Sequence, residues 1–270
     1  MKIIVTEQNI GLWAASFIKE RVNAFAPTPE KPFVLGLPTG GTVVDMYAYL
    51  CTFCQRGEID FQHIFTFNMD EYVGLSPQDP HSYHYYMKRH LFDGVNLPAS
   101  QTHILNGLAS DLQQECDWYE NSIKQAGGIH LFLGGVGQNG HLAFNEPGSS
   151  FSSRTRPVTL EPNTRQANAR FFDGDVTRVP TQALSVGIGT VLDAQEILFL
   201  ANGEKKAQAV ARLSLGEVTP QWPITALKTH PRATLLLDKA AASLLTGRVQ
   251  QELRQAQQEN PHAAQWQVEL

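Results

Sequence analysis

The sequence predicts an α/β fold, a three-layer sandwich with a mainly parallel central sheet and helices on both faces. Three observations lead there. Short apolar runs recur along the chain: Phe33–Leu37 (FVLGL), Ile64–Asn68 (IFTFN), His103–Leu105, Ile129–Leu133 (IHLFL), Ile197–Ala201 (ILFLA) and Ala233–Leu237 (ATLLL). Strands that are apolar almost throughout, instead of alternating, are those buried on both faces of a parallel sheet. Stretches with helical spacing lie between the runs, and the chain is 42% hydrophobic and 17% charged, enough apolar material for a large core.

The elements follow in order. FVLGL runs into PTGGT (Pro38–Thr42), after which Val43, Met46, Tyr47, Leu50 and Cys54 form one apolar helical stripe. That stripe accounts for Cys51 and Cys54 as helix positions, because no second cysteine pair completes a metal site. His81, His84 and His90 are expected as solvated positions in a helical stretch, HSYHYYMKRH. Leu112, Cys116, Tyr119 and Ile123 mark a further helix. Residues 149–186 break the rhythm, rich in Arg, Ser, Thr and Asn, and read as a lid inserted over a site. From about 238 to 270 the expectation is one helix and a loosely held Gln-rich tail, RQAQQENPHAAQWQVEL. With no internal repeat and no long linker, all 270 residues are expected to form a single domain, 1–270.

Several function classes are disfavoured. Lys plus Arg number 21 against 26 Asp plus Glu, a net charge of −5, whereas a nucleic-acid binder needs a broad basic face. MKIIVTEQNIG lacks the roughly 7–15 apolar residues of a secretory leader, and no run reaches the roughly 18 of a membrane span. Three cysteines give no disulfide framework, so a cytoplasmic protein is expected.

The chemistry lies at the strand ends. FVLGL is followed by PTGGT, IFTFN by MDEY (Met69–Tyr72), IHLFL by GGVGQNGHLAFNEPGSS (Gly134–Ser150), and ILFLA by NGEKKA (Asn202–Ala207). In an open, Rossmann-like parallel sheet the carboxyl ends share one rim, so four segments deliver polar groups to one crevice. In PTGGT, Thr39, Gly40, Gly41 and Thr42 offer close backbone approach and helix N-terminal amides, which suit a phosphate. Lys205 and Lys206 open a helix, where a cation works against the dipole and is better explained by an anionic ligand. Arg154, Arg156, Arg165, Arg170 and Arg178 add guanidinium groups in the lid. Asp70 and Glu71 at one strand end, with His141 and Glu146 at another, supply a carboxylate and an imidazole for proton transfer beside a carbonyl. Gly135-Val-Gly137-Gln-Asn-Gly140 matches the dinucleotide fingerprint, but Pro147 and Gly148 leave little room for the helix it requires, so a nicotinamide cofactor is disfavoured. No Walker A, G-x-S-x-G or H-E-x-x-H pattern occurs.

LGLPTGGT, TFNMDEYVGL, GGVGQNGHLAFNEPGSSFSSRTR, NARFFDGDV and GIGTVLDAQEI closely resemble the glucosamine-6-phosphate deaminase family over nearly the whole chain, with a poor match in the last 30 or so residues. The resemblance implies conversion of D-glucosamine 6-phosphate and water to D-fructose 6-phosphate and ammonia, with no organic cofactor and no obligatory metal. It implies that Asp70 moves a proton from C2 towards C1 of the opened sugar. His141 would open the ring, oriented by Glu146 and Asn139. Gly40, Gly41, Thr42, Arg170 and Lys206 fall on the family's phosphate-binding positions. A galactosamine-6-phosphate deaminase, a 6-phosphogluconolactonase or a non-catalytic sugar-phosphate sensor are the alternatives; a sensor would need an attached helix-turn-helix, for which the start of the chain leaves no room.

Two departures from the family pattern matter. Asn139 stands where Asp is frequent, and an amide orients an imidazole without adding charge; the acidic limb of activity is therefore expected at lower pH than in Asn139→Asp. Many hexameric members are activated by N-acetylglucosamine 6-phosphate at a subunit-interface pocket. Ser149, Ser150 and Arg156 match it, but Val158 replaces a phosphate-binding Lys and Glu252 a Tyr, so weak or absent activation is expected. A homo-oligomer, with a hexamer favoured, is implied.

Overall fold

The computed structural model describes residues 1–260 and 263–270. Eight strands form the central sheet: β1 (Lys2–Thr6), β2 (Phe33–Leu37), β3 (Ile64–Asn68), β5 (Thr102–His103), β6 (Leu131–Gly135), β9 (Glu196–Ala201), β10 (Ala233–Asp238) and β11 (Gln265–Glu269). Their order is β11-β1-β10-β9-β6-β2-β3-β5, parallel throughout except for β11, which runs antiparallel to β1.

The apolar runs are strands because both faces are covered. On one face Ile3, Val5, Val34, Phe132, Ile197, Phe199, Leu235 and Leu237 pack under α4 (Leu112–Gln125), α7 (Ala207–Ser214) and α8 (Gly247–Glu259). On the other, the alternate residues Ile4, Leu35, Leu131, Leu133, Leu198, Leu200 and Leu236 pack under α1 (Ile10–Phe25) and α2 (Val44–Gln55). Successive side chains thus enter opposite cores, the period-2 geometry of a strand with no wet face. The helix starts are chemically marked: Asn9 accepts from Leu12 N at α1, and Asp111 from Gln113 N and Gln114 N at α4.

From β2 the chain moves to β3 and β5; it then returns to place β6 on the other side of β2 and continues to β9 and β10. The direction of winding reverses between β2 and β6, where open α/β sheets hold their ligands. These two strands pair only at Leu35–Leu131 and Gly36–Phe132, so their carboxyl ends part and leave a crevice.

Three expectations need correction. The 149–186 segment is not irregular: it contains β7 (Arg156–Thr159), α5 (Pro162–Asn168), β8 (Gln182–Ser185) and short 3₁₀ turns. β7 and β8 pair antiparallel with β4 (Asp70–Tyr72) in a second sheet ordered β4-β8-β7. Tyr72, Phe144, Leu160, Ala169, Phe172, Val179 and Ala183 form its own small core. The C-terminal stretch is not one helix from 238; α8 begins at Gly247, after turns. The tail is not loosely held either, because β11 closes the sheet edge with Trp266 and Val268 buried; Pro261 and His262 of that tail lie outside the described residues. α6 spans Ile188–Leu192, and α3, Tyr83–His90, follows β4.

Candidate active site

The ends of β9, β6, β2 and β3 are neighbours in the sheet, so the four polar segments meet at one rim. A cavity of about 140 Å³ there is lined by Thr39, Gly40, Gly41, Thr42, Asp70, His141, Arg170 and Lys206. It opens into a groove of about 410 Å³ that shares His141, Thr164, Asn168, Arg170 and Lys206 with it and adds Asn139. The sheet therefore brings the anion-binding and proton-transfer candidates into a single connected space.

The PTGGT loop is shaped by its carbonyls being held from behind. Tyr47 donates its hydroxyl to Pro38 O, and Tyr86 donates to Gly40 O at 2.8 Å. No acceptor among the described residues takes the amides of Gly40, Gly41 or Thr42, which begin the 3₁₀ turn leading into α2. Gly40 has φ 112°, a conformation open to glycine and strained for any L side chain. Across the rim, Thr42 Oγ1 donates to Asn202 Oδ1 at 2.9 Å, tying this loop to the NGEKKA segment. Lys206 lines the cavity while Lys205 is exposed. Burial, and then the neighbouring Arg170 guanidinium, push the Lys206 ammonium down to about 8. A half-buried ammonium beside a guanidinium, facing unpaired amides, is a site that an anion completes.

Of the five lid arginines, only Arg170 lines the cavity. Arg154 pairs with Glu120 and Asp193, Arg178 with Asp173, and Arg165 donates to the carbonyls of Val176 and Val179. These contacts brace the 149–186 segment internally and against α4 and Asp193, so of the set one residue, Arg170, is placed to meet an anion in the cavity.

Asp70 enters the cavity from β4, where it pairs with Ser185 of β8. Burial, and then the adjacent Glu71 carboxylate, push its carboxyl up to about 8. Opposite, the turn after β6 carries His141 back against Gly137: a Cβ on Gly137 would lie 2.3 Å from the imidazole, so only glycine leaves room for the ring. No helix opens in this turn, in keeping with the rejection of a dinucleotide fingerprint. His141 Nδ1 lies 3.7 Å from Glu146 Oε2 and, among the described residues, has no hydrogen-bond partner. Burial works to raise Glu146, but His141, Thr164 and Asn139 outweigh it and hold the carboxyl below its usual range. Asn139 Nδ2 donates to Glu146 Oε2 at 2.7 Å, and Asn139 Oδ1 accepts from His141 N at 3.2 Å. Asn139 therefore reaches His141 through Glu146 and the His141 backbone amide.

The effector-like residues lie elsewhere. Ser149, Ser150, Arg156 and Val158 are absent from the lining of the cavity and its groove. Arg156 donates to Asn145 Oδ1 at 2.9 Å, and Val158 packs against the small lid core. The expected solvated histidines are engaged instead: His84 Nδ1 is 2.8 Å from Glu71 Oε2, His81 stacks on Phe172, and His90 lies against Tyr86. Cys51 and Cys54 sit on α2 as unpaired thiols.

Sequence reasoning missed Tyr83, Phe144, Thr164, Asn168 and Phe171, which also line the cavity. Asn168 Nδ2 donates to Tyr72 OH at 2.9 Å, and Thr164 donates to Glu146. Thr164, Asn168 and Arg170 share α5 and the turn after it, a spacing visible only once that helix is known. Among the described residues no group of three or more His, Cys, Asp or Glu side chains is placed to hold a metal ion, and no helix is long and apolar enough to cross a membrane.

Residues 6–236 match the family described as glucosamine-6-phosphate isomerases/6-phosphogluconolactonase. A glucosamine-6-phosphate deaminase of Porphyromonas gingivalis is 51% identical over 243 residues, 89% of this chain and 92% of that one. A solved structure described as a monomeric glucosamine-6-phosphate deaminase superposes with a TM-score of 0.86 at 42% identity, covering 90% of this chain and all of that one. A 6-phosphogluconolactonase from Leishmania guyanensis shares the fold, with a TM-score of 0.69 at 20% identity over 91% of this chain and 98% of that one.

Proposed function

The chain belongs to the glucosamine-6-phosphate isomerase/6-phosphogluconolactonase family, and from that premise we propose how its cavity works as a glucosamine-6-phosphate deaminase. The reaction converts D-glucosamine 6-phosphate and water to D-fructose 6-phosphate and ammonia. The observation that carries the assignment of roles is that Asp70, His141, the PTGGT amides, Arg170 and Lys206 line one cavity.

In this reading the 6-phosphate sits against Gly40, Gly41 and Thr42, with Thr39 beside them and the charges of Arg170 and Lys206 opposite. Placing the phosphate fixes the sugar's carbonyl end relative to Asp70 and His141, which removes most of the orientational cost of proton transfer. His141, steered by Glu146 and Asn139, moves the proton that opens the ring. Asp70 then takes the C2 proton and delivers it to C1. Hydrolysis of the resulting C2 imine takes up water and releases ammonia. Burial keeps Asp70 basic enough for this work, since a carboxylate with its usual affinity for protons is a weak base towards carbon.

We extend the reading to a homo-oligomer, with a hexamer favoured, on the strength of the motif resemblance, and to the cytoplasm on the strength of three unpaired cysteines. The deciding experiment measures ammonia and fructose 6-phosphate formed by the wild type and by Asp70→Asn. The wild type forms both in equal amounts; the variant is slower by about 10²–10⁴-fold while still binding fructose 6-phosphate. An Asp70→Asn protein with undiminished turnover removes Asp70 from the role of base.

A further inference from the structure

Glu71 lies outside the cavity, yet it is the most heavily engaged carboxylate beside it. Side chains alternate along β4, so Asp70 faces the substrate space and Glu71 the opposite side, where it is 1% exposed. Glu71 Oε1 accepts from Tyr72 N at 2.8 Å and Tyr83 N at 3.0 Å; Oε2 accepts from His84 N at 3.0 Å and His84 Nδ1 at 2.8 Å. One carboxylate therefore pins the strand that carries Asp70 to the first turn of the helix that carries Tyr83, another cavity-lining residue. Two of the three backbone donors, Tyr83 N and His84 N, are amides at a helix N-terminus, where a negative charge is favoured. His84 in turn faces a separate cavity of about 650 Å³, lined also by Lys88, His103 and Trp118.

We propose that Glu71 and His84 are a positioning pair for Asp70: the fixed charge of Glu71 makes its neighbour a stronger base, and the His84 donor limits how strongly that charge is felt. The proposal rests on the reading of Asp70 as the base. The groups around Asp70 leave Glu71 as the tuning charge on its own strand. The phenols of Tyr47 on α2, Tyr72 on β4, Tyr83 on α3 and Tyr119 on α4 are all raised, by burial first, and stay neutral at working pH. His141, Arg170 and Lys206 face Asp70 across the cavity, where they meet the substrate. Glu71 is the one charged neighbour that raises Asp70, after burial.

The two members of the pair act in opposite directions, and a merely structural role would not produce that pattern. The limb of kcat/KM on which activity rises with pH is measured for wild type, Glu71→Gln and His84→Ala; ionisation of the substrate is common to all three. Glu71→Gln removes the like charge and moves the limb to lower pH by about one unit. His84→Ala leaves Glu71 charged, still held by three backbone amides, and moves the limb to higher pH by about half a unit. Neither change alters affinity for fructose 6-phosphate more than about twofold at pH 7, because neither side chain touches the phosphate cradle. Limbs that stay in place, or that move the same way, overturn the proposal. Should Glu71→Gln fail to fold, the upward shift of His84→Ala decides alone. Asp70→Asn with undiminished turnover indicts the underlying reading, whereas an inactive Asp70→Asn with unmoved limbs indicts only the pair.

Discussion

Lys206 supplies the sharpest test of the anion site, because its ammonium is pushed down to about 8 by burial and by Arg170. A phosphate dianion binds the charged form, so binding draws a proton onto Lys206 and the affinity follows the charged fraction. With a value of about 8, that fraction is about 90% at pH 7 and about 10% at pH 9, a tenfold loss of affinity worth about 1.4 kcal/mol. The sign is fixed: affinity is complete below about 8 and falls as pH rises through it. The ligand's second phosphate ionisation lies near 6, so above pH 7 it contributes no slope. The measurement is the Kd of fructose 6-phosphate by calorimetry between pH 7 and 9 in an Asp70→Asn background, which slows turnover and silences the other cavity group raised to about 8. Adding Lys206→Arg, whose guanidinium stays charged, abolishes the slope. A flat profile in the single variant, or the same tenfold loss in the double variant, refutes the assignment of Lys206 to the phosphate.

Asn139→Asp sets a carboxylate about where an amide now donates to Glu146 at 2.7 Å. Two like charges at that distance repel by about 6 kcal/mol at an effective dielectric of 20, so the pair holds one proton near neutrality. The acid limb of activity then stays within about 0.3 units of wild type instead of rising as the sequence alone suggests. Because the pair's proton affinity is raised in the folded state, the variant loses thermal stability as pH increases through that ionisation, a trend seen by scanning calorimetry between pH 5 and 9. A rise of the acid limb by a full unit, with stability unchanged, places Asn139 against the imidazole instead. N-acetylglucosamine 6-phosphate leaves the substrate curve unchanged, since Val158 packs in the lid core and supplies no cation and Arg156 is engaged by Asn145; light scattering in the same buffer reports the assembly. A sigmoidal curve that this ligand turns hyperbolic overturns that expectation.

The parallel strands are legible in sequence because burial on both faces leaves nearly uninterrupted apolar runs, and five of the six expected runs overlap their strands closely. The sixth, His103–Leu105, contributes only His103 to the two-residue β5 at the sheet edge. What failed is equally physical. β7, Arg156–Thr159, is half-exposed and polar, and takes its strand form from pairing with β8, so no local pattern announces it. β11 does alternate, with Trp266 and Val268 buried between exposed Gln265, Gln267 and Glu269, but glutamine-rich surroundings hid a period that counting residues in pairs would have found. At the site, motifs at strand ends were legible because the sheet's topology alone gathers them. Thr164, Asn168 and Tyr83 were not, because the packing of the lid core and the Glu71 clamp place them.

The cavity's chemistry comes from one physical cause acting with opposite sign on two residues. Burial penalises whichever form is charged, so it lifts the acid Asp70 and lowers the ammonium of Lys206, and with the like charges of Glu71 and Arg170 added both stand near 8. The form each needs for its task, carboxylate and ammonium, is therefore held close to its neutral alternative by the protein's own groups. In the proposed reading the substrate's phosphate favours the charged Lys206, and the substrate's amino group, when protonated, favours the charged Asp70. The substrate thus supplies at its two ends the counter-charges that the desolvated cavity withholds. An anion without the amino group completes only one end. In the proposed reading, the separation of phosphate and C2 along the sugar, matched to the placement of the PTGGT loop and β4 on one cavity, is what would favour an amino-sugar phosphate over a bare one in this chain.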